Sequence, residues 1–178
     1  DAVAGKTKAA TCGACHGADG NSLAPSFPKI AGQGERYLVK QITEIKNGDR
    51  QVPEMLGFVM GLSETDIADI AAYYAGQTAS SGAADAALVE AGKRIFLGGN
   101  EATGVPACIA CHSADGKGIA AAGFPRVAGQ HATYTEKQLM DFYNAKRTND
   151  ASNVMRDIAS RMHMDEIKAV SSYIQGLK

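Results

Sequence analysis

The sequence predicts an all-α protein built from two tandem copies of one helical unit. Two observations carry this. First, blocks recur in order. FPKIAGQ at 27–33 returns as FPRVAGQ at 124–130, an offset of 97, and Tyr37, Lys40–Gln41 and Arg50 return at that offset as Tyr134, Lys137–Gln138 and Arg147. Farther on the offset becomes 100, which pairs Ile67 with Ile167 and Tyr73 with Tyr173. Self-similarity on this scale is the mark of a duplicated unit. Second, apolar residues fall at helical spacing, and the long alternating runs expected of strands are absent.

The elements follow in chain order. AGK at 4–6 matches AGK at 91–93, although the second copy carries nine extra residues before its first cysteine. Tyr37, Leu38, Gln41, Ile42 and Ile45 mark a helix that ends near Gly48. Ser63 with Asp66 makes a capping-box-like start, and Ile67, Ile70, Ala71 and Tyr74 then give the buried stripe of a terminal helix. GQTASSGAADA at 76–86 is small and polar and reads as a linker, which divides the chain into domains 1–82 and 83–178. In the second copy Leu88, Ala91, Gly92, Ile95 and Phe96 line one face of a helix, and Ile167, Val170, Ser171 and Ile174 repeat the terminal stripe.

Bulk properties exclude several classes. The chain has 178 residues, 45% hydrophobic and 21% charged, which suits packed cores and not disorder. Its 18 basic and 19 acidic residues give a net charge of −1, and no block of like charge appears, so nothing favours nucleic acid or an anionic membrane surface. No apolar stretch is long enough to span a bilayer, and a membrane-associated state would have to come from partners. The start at Asp1, without methionine or a signal pattern, reads as a processed product.

All four cysteines lie in two motifs, TCGACHGADG at 11–20 and ACIACHSADG at 107–116. Structural zinc would need four ligands, and each unit offers Cys-x-x-Cys with one neighbouring histidine. A thioredoxin-like dithiol wants a βαβ context that is not visible. A disulfide across two residues would not explain why a histidine follows both times. Cys-x-x-Cys-His is the signature of covalent c-type haem. Cys12, Cys15, Cys108 and Cys111 would form thioethers with the haem vinyl groups, and His16 and His112 would be held as the proximal iron ligands. Two haem c groups are therefore expected.

The repeat also selects a sixth ligand. His131 and His163 face Gly34 and Ser63, so a pair of bis-histidine haems is disfavoured. At the offset of 100, Met55 meets Met155, whereas Met60, Met140, Met162 and Met164 have no methionine partner and read as packing residues. A duplicated haem site should keep its ligand in both copies, which points to Met55 and Met155. Pro28 and Pro125 follow their histidines by 12 and 13 residues, and a proline carbonyl there can fix the histidine ring through its other nitrogen. The repeated polar residues Arg50, Arg147, Gln33, Gln130, Tyr37 and Tyr134 are candidates for contacts to haem propionates, or else ordinary surface and capping residues.

Together the two CxxCH units, FPKIAGQGERYL, the methionine before a helix carrying DIAAYYAGQ, and the terminal YIQGLK resemble the dihaem cytochromes c4, over essentially the whole chain. The resemblance implies two class I cytochrome c domains related by a pseudo-twofold axis, with His16 and Met55 on one iron and His112 and Met155 on the other. It also implies a soluble electron carrier in the periplasm, not an enzyme, that passes electrons between redox proteins such as a respiratory donor and a terminal oxidase. The small Ala9 region, where the second copy has Ile95 and Phe96, implies that the two domains differ in packing and in potential.

Overall fold

The computed structural model describes residues 1–178, and its ordered elements are helical. The only β pairings are two isolated bridges, Asn100 with Val105 and Ile119 with Phe124. The chain forms two compact units. The first comprises residues 1–80 with 119–126, and the second residues 81–118 with 127–178.

The first unit contains α1 (Ala2–Lys8), α2 (Gly13–His16), α3 (Glu35–Asn47), α4 (Pro53–Val59) and α5 (Glu64–Ala75). The expected α3 ends where Gly48 turns left-handed at φ 85°, a conformation glycine adopts without cost. The capping box on α5 is present: Asp66 N donates to Ser63 Oγ at 3.1 Å and Ser63 N to Asp66 Oδ2 at 2.9 Å. The terminal stripe Ile67, Ile70, Ala71 and Tyr74 is buried, and α5 packs on α1 and α3. Ala9, Leu38, Ile70, Ala71 and Tyr74 form the core, with Cys12, Ile30, Ile42 and Leu62 against it.

The second unit contains α6 (Val89–Gly98), α7 (Ile109–His112), α8 (Ala132–Tyr143), α9 (Val154–Ala159) and α10 (Met164–Gly176). Helix α10 packs on α6 and α8 and buries Ile167, Val170, Ser171 and Ile174. Ile95 and Phe96 occupy the heart of this core, where the first unit has only the Ala9 region. The core is thus filled from α6 in one unit and by the small Ala9 just after α1 in the other.

Both units rest on one close helix crossing. A Cβ on Gly5 of α1 would stand 1.9 Å from the Asp69 carbonyl oxygen of α5, and a Cβ on Gly92 of α6 would stand 2.2 Å from the Ala169 carbonyl oxygen of α10. Only glycine lets the backbones approach this closely. In each unit the first cysteine, Cys12 or Cys108, packs against the core that the terminal helix helps to form.

Candidate functional site

Each cysteine pair sits on a single helical turn. Cys12 caps α2, and His16 N donates to Cys12 O at 3.0 Å, which brings Cys12, Cys15 and His16 onto one short element. The second copy repeats this, with His112 N donating to Cys108 O at 2.9 Å. None of the four cysteines is paired in a disulfide. Burial pushes the Cys12 thiol up and the Cys108 thiol up to about 11. Redox dithiols work through a lowered thiol pKa, and these two are raised. No group of three or more His, Cys, Asp and Glu side chains is arranged to hold a bare metal ion.

His16 is buried, and its Nδ1 lies 2.9 Å from the Pro28 carbonyl oxygen, an acceptor only, so Nδ1 carries the hydrogen and Nε2 presents its lone pair. Burial lowers the His16 pKa against the opposing pull of the Pro28 bond. The ring is therefore neutral, as an iron ligand must be. His112 and Pro125 are half-buried on the corresponding turn and loop.

Met55 lies on α4 and Met155 on α9, each half-buried on a short helix just before the terminal helix. The remaining methionines divide differently. Met162 is in the second core and Met140 packs against it, while Met60 and Met164 are exposed.

The segments holding the two methionines use different devices. Met55 follows Pro53 in the first turn of α4, and its amide donates to Val52 O at 2.9 Å. Before Met155 the backbone takes positive φ at Ser152 (53°) and Asn153 (60°). An ion pair pins that loop: Arg156 Nε meets Asp150 Oδ1 at 2.7 Å, and Arg156 N donates to Asp150 Oδ2 at 3.0 Å. Arg156 also donates to Thr148 O at 3.1 Å and to Asn153 Oδ1. Burial alone would raise the Asp150 carboxyl, but the Arg156 amide and guanidinium outweigh it and hold it below the usual range. The outward positions of α4 and its following turn carry exposed Leu56, Phe58 and Met60, whereas α9 and its turn carry Arg156, Asp157 and Arg161.

The repeated polar residues form matched contacts. Arg50 Nη1 donates to Gln41 Oε1 at 2.8 Å, and Arg147 Nη1 to Gln138 Oε1 at 2.7 Å. Gln33 Oε1 accepts from Gly34 N at 2.9 Å, and Gln130 Oε1 from His131 N at 3.0 Å, at the start of α3 and α8. Gln33 is buried and, within the same unit, its Nε2 donates to Arg126 O at 2.8 Å. Arg147 also lies 4.6 Å from the Phe142 ring centroid. Tyr37 and Tyr134 are half-buried on α3 and α8.

Three features escaped the sequence reading. The close crossing at Gly5 and Gly92 was not foreseen, although both lie in the repeated AGK and Gly92 falls on the apolar face of its helix. The Asp150–Arg156 pair has no counterpart in the first copy and gave no signal. The third is the buried Tyr74 hydroxyl, which has no hydrogen-bond partner in the polypeptide. The donor set suits haem c in both units: paired thiols and an adjacent histidine on one turn, beside an apolar cluster, and in the first unit an oriented neutral imidazole and an orphaned buried hydroxyl. His16, Cys12 and Cys15 would hold one haem, and His112, Cys108 and Cys111 the other.

Comparison with known proteins agrees. The family model Cytochrome c matches residues 2–76 and again 89–178. The chain is 59% identical to cytochrome c4 of Pseudomonas aeruginosa, covering 99% of this chain and 89% of that protein. It is 54% identical to cytochrome c4 of Azotobacter vinelandii, again covering 99% and 89%. The crystal structure of reduced recombinant cytochrome c4 from Pseudomonas stutzeri superposes with a TM-score of 0.98 at 52% identity, covering 100% of this chain and 99% of that one.

Proposed function

Because the chain belongs to the cytochrome c family, in its dihaem cytochrome c4 branch with two covalently bound haem c groups, we propose that it is a periplasmic electron carrier of the respiratory chain. It would accept electrons from a donor complex or protein and deliver them to a terminal oxidase, with domains 1–82 and 83–178 each holding one haem. No helix is long and apolar enough to cross a membrane.

Haem c supplies a one-electron ferric–ferrous couple when bound. The chain does the rest. Cys12, Cys15, Cys108 and Cys111 anchor the groups, and Pro28 aims the His16 ring by accepting its Nδ1 hydrogen. Pro125 is assigned the same task for His112. Met55 and Met155 would hold the irons together with His16 and His112, and a thioether ligand would favour the ferrous state and so a high potential. With the irons held by these histidines and methionines, oxygen and peroxide would find no place to bind, which favours a carrier over a peroxidase. Arg50, Arg147, Tyr37 and Tyr134 remain candidates to meet propionates, while Gln33 and Gln130 are engaged by backbone amides.

The observation that carries this reading is the recurrence of the whole Cys-x-x-Cys-His and methionine arrangement in both units. A spectroscopic redox titration of the holoprotein tests it. The expected result is two haems, a far-red methionine–ferric band accounting for both, and no peroxide turnover. High-spin iron at one haem, or carbon monoxide binding to the reduced protein at neutral pH, would overturn the carrier assignment in favour of an enzyme or a gas sensor.

A further inference from the structure

Tyr74 occupies a position in α5 whose partner in α10 is Ile174. Both side chains are buried in the core of their own unit. The fold of the unit therefore accepts a purely apolar residue here. In the first copy a phenol stands instead, only 1% exposed, with no hydrogen-bond partner for its oxygen in the polypeptide. Buried hydroxyls are nearly always bonded. A serine in a helix can turn its hydroxyl back onto its own helix, but a tyrosine oxygen is carried too far from the backbone for that.

The ring stands against the haem-attachment segment. A Cβ on Gly20, four residues beyond His16, would stand 2.9 Å from Tyr74 Cδ1, so the ring lies flush on the haem-attachment segment. Cys12 packs against the same buried cluster. Gly32 N donates to Tyr74 O at 2.9 Å and fixes the backbone at this point. The neighbouring Tyr73 already spends its hydroxyl on Ala18 O at 2.8 Å in that segment, which leaves the Tyr74 hydroxyl alone unmatched there. Burial pushes the Tyr74 phenol well above its ordinary value. It stays protonated and can act as a donor at any working pH.

We propose that the Tyr74 hydroxyl donates a hydrogen bond to an electron-rich atom at the edge of the first haem, and so sets that haem's potential apart from the second's. The proposal rests on the dihaem reading above. The positive end of an O–H dipole aimed at the group favours the state carrying the extra electron. Tyr74 thus raises the potential of its own haem, and Ile174 has no equivalent effect on the other. Tyr74 is a tuning residue that acts on the couple, not an axial ligand.

The test is a redox titration of the Tyr74→Phe holoprotein with the two haems resolved. Phenylalanine keeps the ring and removes only the oxygen. The expected result is a fall in one midpoint, read as a roughly two- to tenfold lower ratio of reduced to oxidised haem at fixed potential, the size of one net hydrogen bond. The other haem should not move. In the reduced wild-type protein a slowly exchanging hydroxyl proton, shifted by the haem ring current, should be seen by NMR and be lost in the variant. Tyr74→Ile, which installs the second copy's residue, should lower the same midpoint. Tyr73→Phe is the control and should leave both midpoints in place. Unchanged midpoints in both Tyr74 variants, as expected if the hydroxyl meets only a buried water, would overturn the proposal, as would an equal shift of both haems. Either outcome, with two low-spin haems still present, leaves the carrier reading standing.

Discussion

Replacing Gly92 by alanine probes the helix crossing on which the second haem site is built. The added Cβ would lie 2.2 Å from the Ala169 carbonyl oxygen, 2.8 Å from its carbonyl carbon and 2.6 Å from Tyr173 Cβ. Ordinary contact begins near 3.4 Å, so α6 and α10 must part by roughly 1 Å. Two of the three obstructing atoms are backbone and cannot rotate away. Overpacking of this kind costs about 1–3 kcal/mol, and the better helix propensity of alanine returns up to about 1 kcal/mol. Because backbone blocks the methyl, the upper part of the range applies, and a net loss of about 2 kcal/mol is expected. In a unit of this size each kcal/mol moves Tm by about 4–8 °C, so the second unit should melt about 10 °C lower. The assay is thermal unfolding followed by helical circular dichroism and by haem absorbance. Gly98→Ala is the internal control. It is in the same helix, but its Cβ would meet nothing within 4 Å, so it should be neutral or slightly stabilising. If Gly92→Ala melts with Gly98→Ala, the close crossing is not a constraint and the reasoning fails.

Other expectations follow from the same geometry. Phe96→Ala removes a fully buried ring that sits 5.5 Å from Tyr173 and should cost about 3–5 kcal/mol, measured by denaturant unfolding. Met55→Ala and Met155→Ala should each abolish half of the far-red band and sharply lower one midpoint potential; an unchanged spectrum would reject that ligand. Asp150 has a depressed pKa in the folded protein, so its contribution is present above the unfolded carboxyl value of about 3.9 and is lost as pH falls through the lower folded value. Asp150→Asn should remove that acid limb and weaken the far-red band of the second haem alone at neutral pH. An acid titration of both forms, read in that band, checks it.

The sequence revealed whatever is local or duplicated. The cysteine pairs with their histidines form one helical turn, so their spacing is already their geometry. The stripes of α5 and α10 were legible because helical periodicity and burial coincide at Ile67, Ile70, Ile167 and Val170. The destinations of long polar side chains were not. Gln33 and Gln130 reach the amide of the next residue, which depends on how the chain turns into α3 and α8. Arg50 and Arg147 each find a glutamine nine residues back, a repeated pairing that the aligned Gln41 and Gln138 hinted at. Gly5 and Gly92 could have been suspected, since glycine inside a helix costs about 1 kcal/mol against alanine and needs a reason. The Asp150–Arg156 pair could not, because comparing the copies reveals only what both retain.

That limit is also informative. Two sites in one chain share solvent, temperature and attachment chemistry, so what the copies hold in common cannot make their haems differ. The shared features are the thioether cysteines, the histidines, the following prolines, the assigned methionines and the Arg–Gln pairs. Any difference in potential has to come from positions where the copies diverge. Among those that touch the cores or the methionine helices are Ala9 against Phe96, Tyr74 against Ile174, and Leu56 against Arg156. The first changes how tightly apolar atoms fill the unit, the second adds a buried donor, and the third exchanges an exposed apolar residue for a cation beside Met155. Asp150 offsets the Arg156 charge, so removing Arg156 would leave a nearly buried carboxylate uncompensated, which disfavours the reduced state of the haem assigned to Met155. Tyr74→Phe and Arg156→Leu should accordingly move the gap between the two potentials in opposite directions.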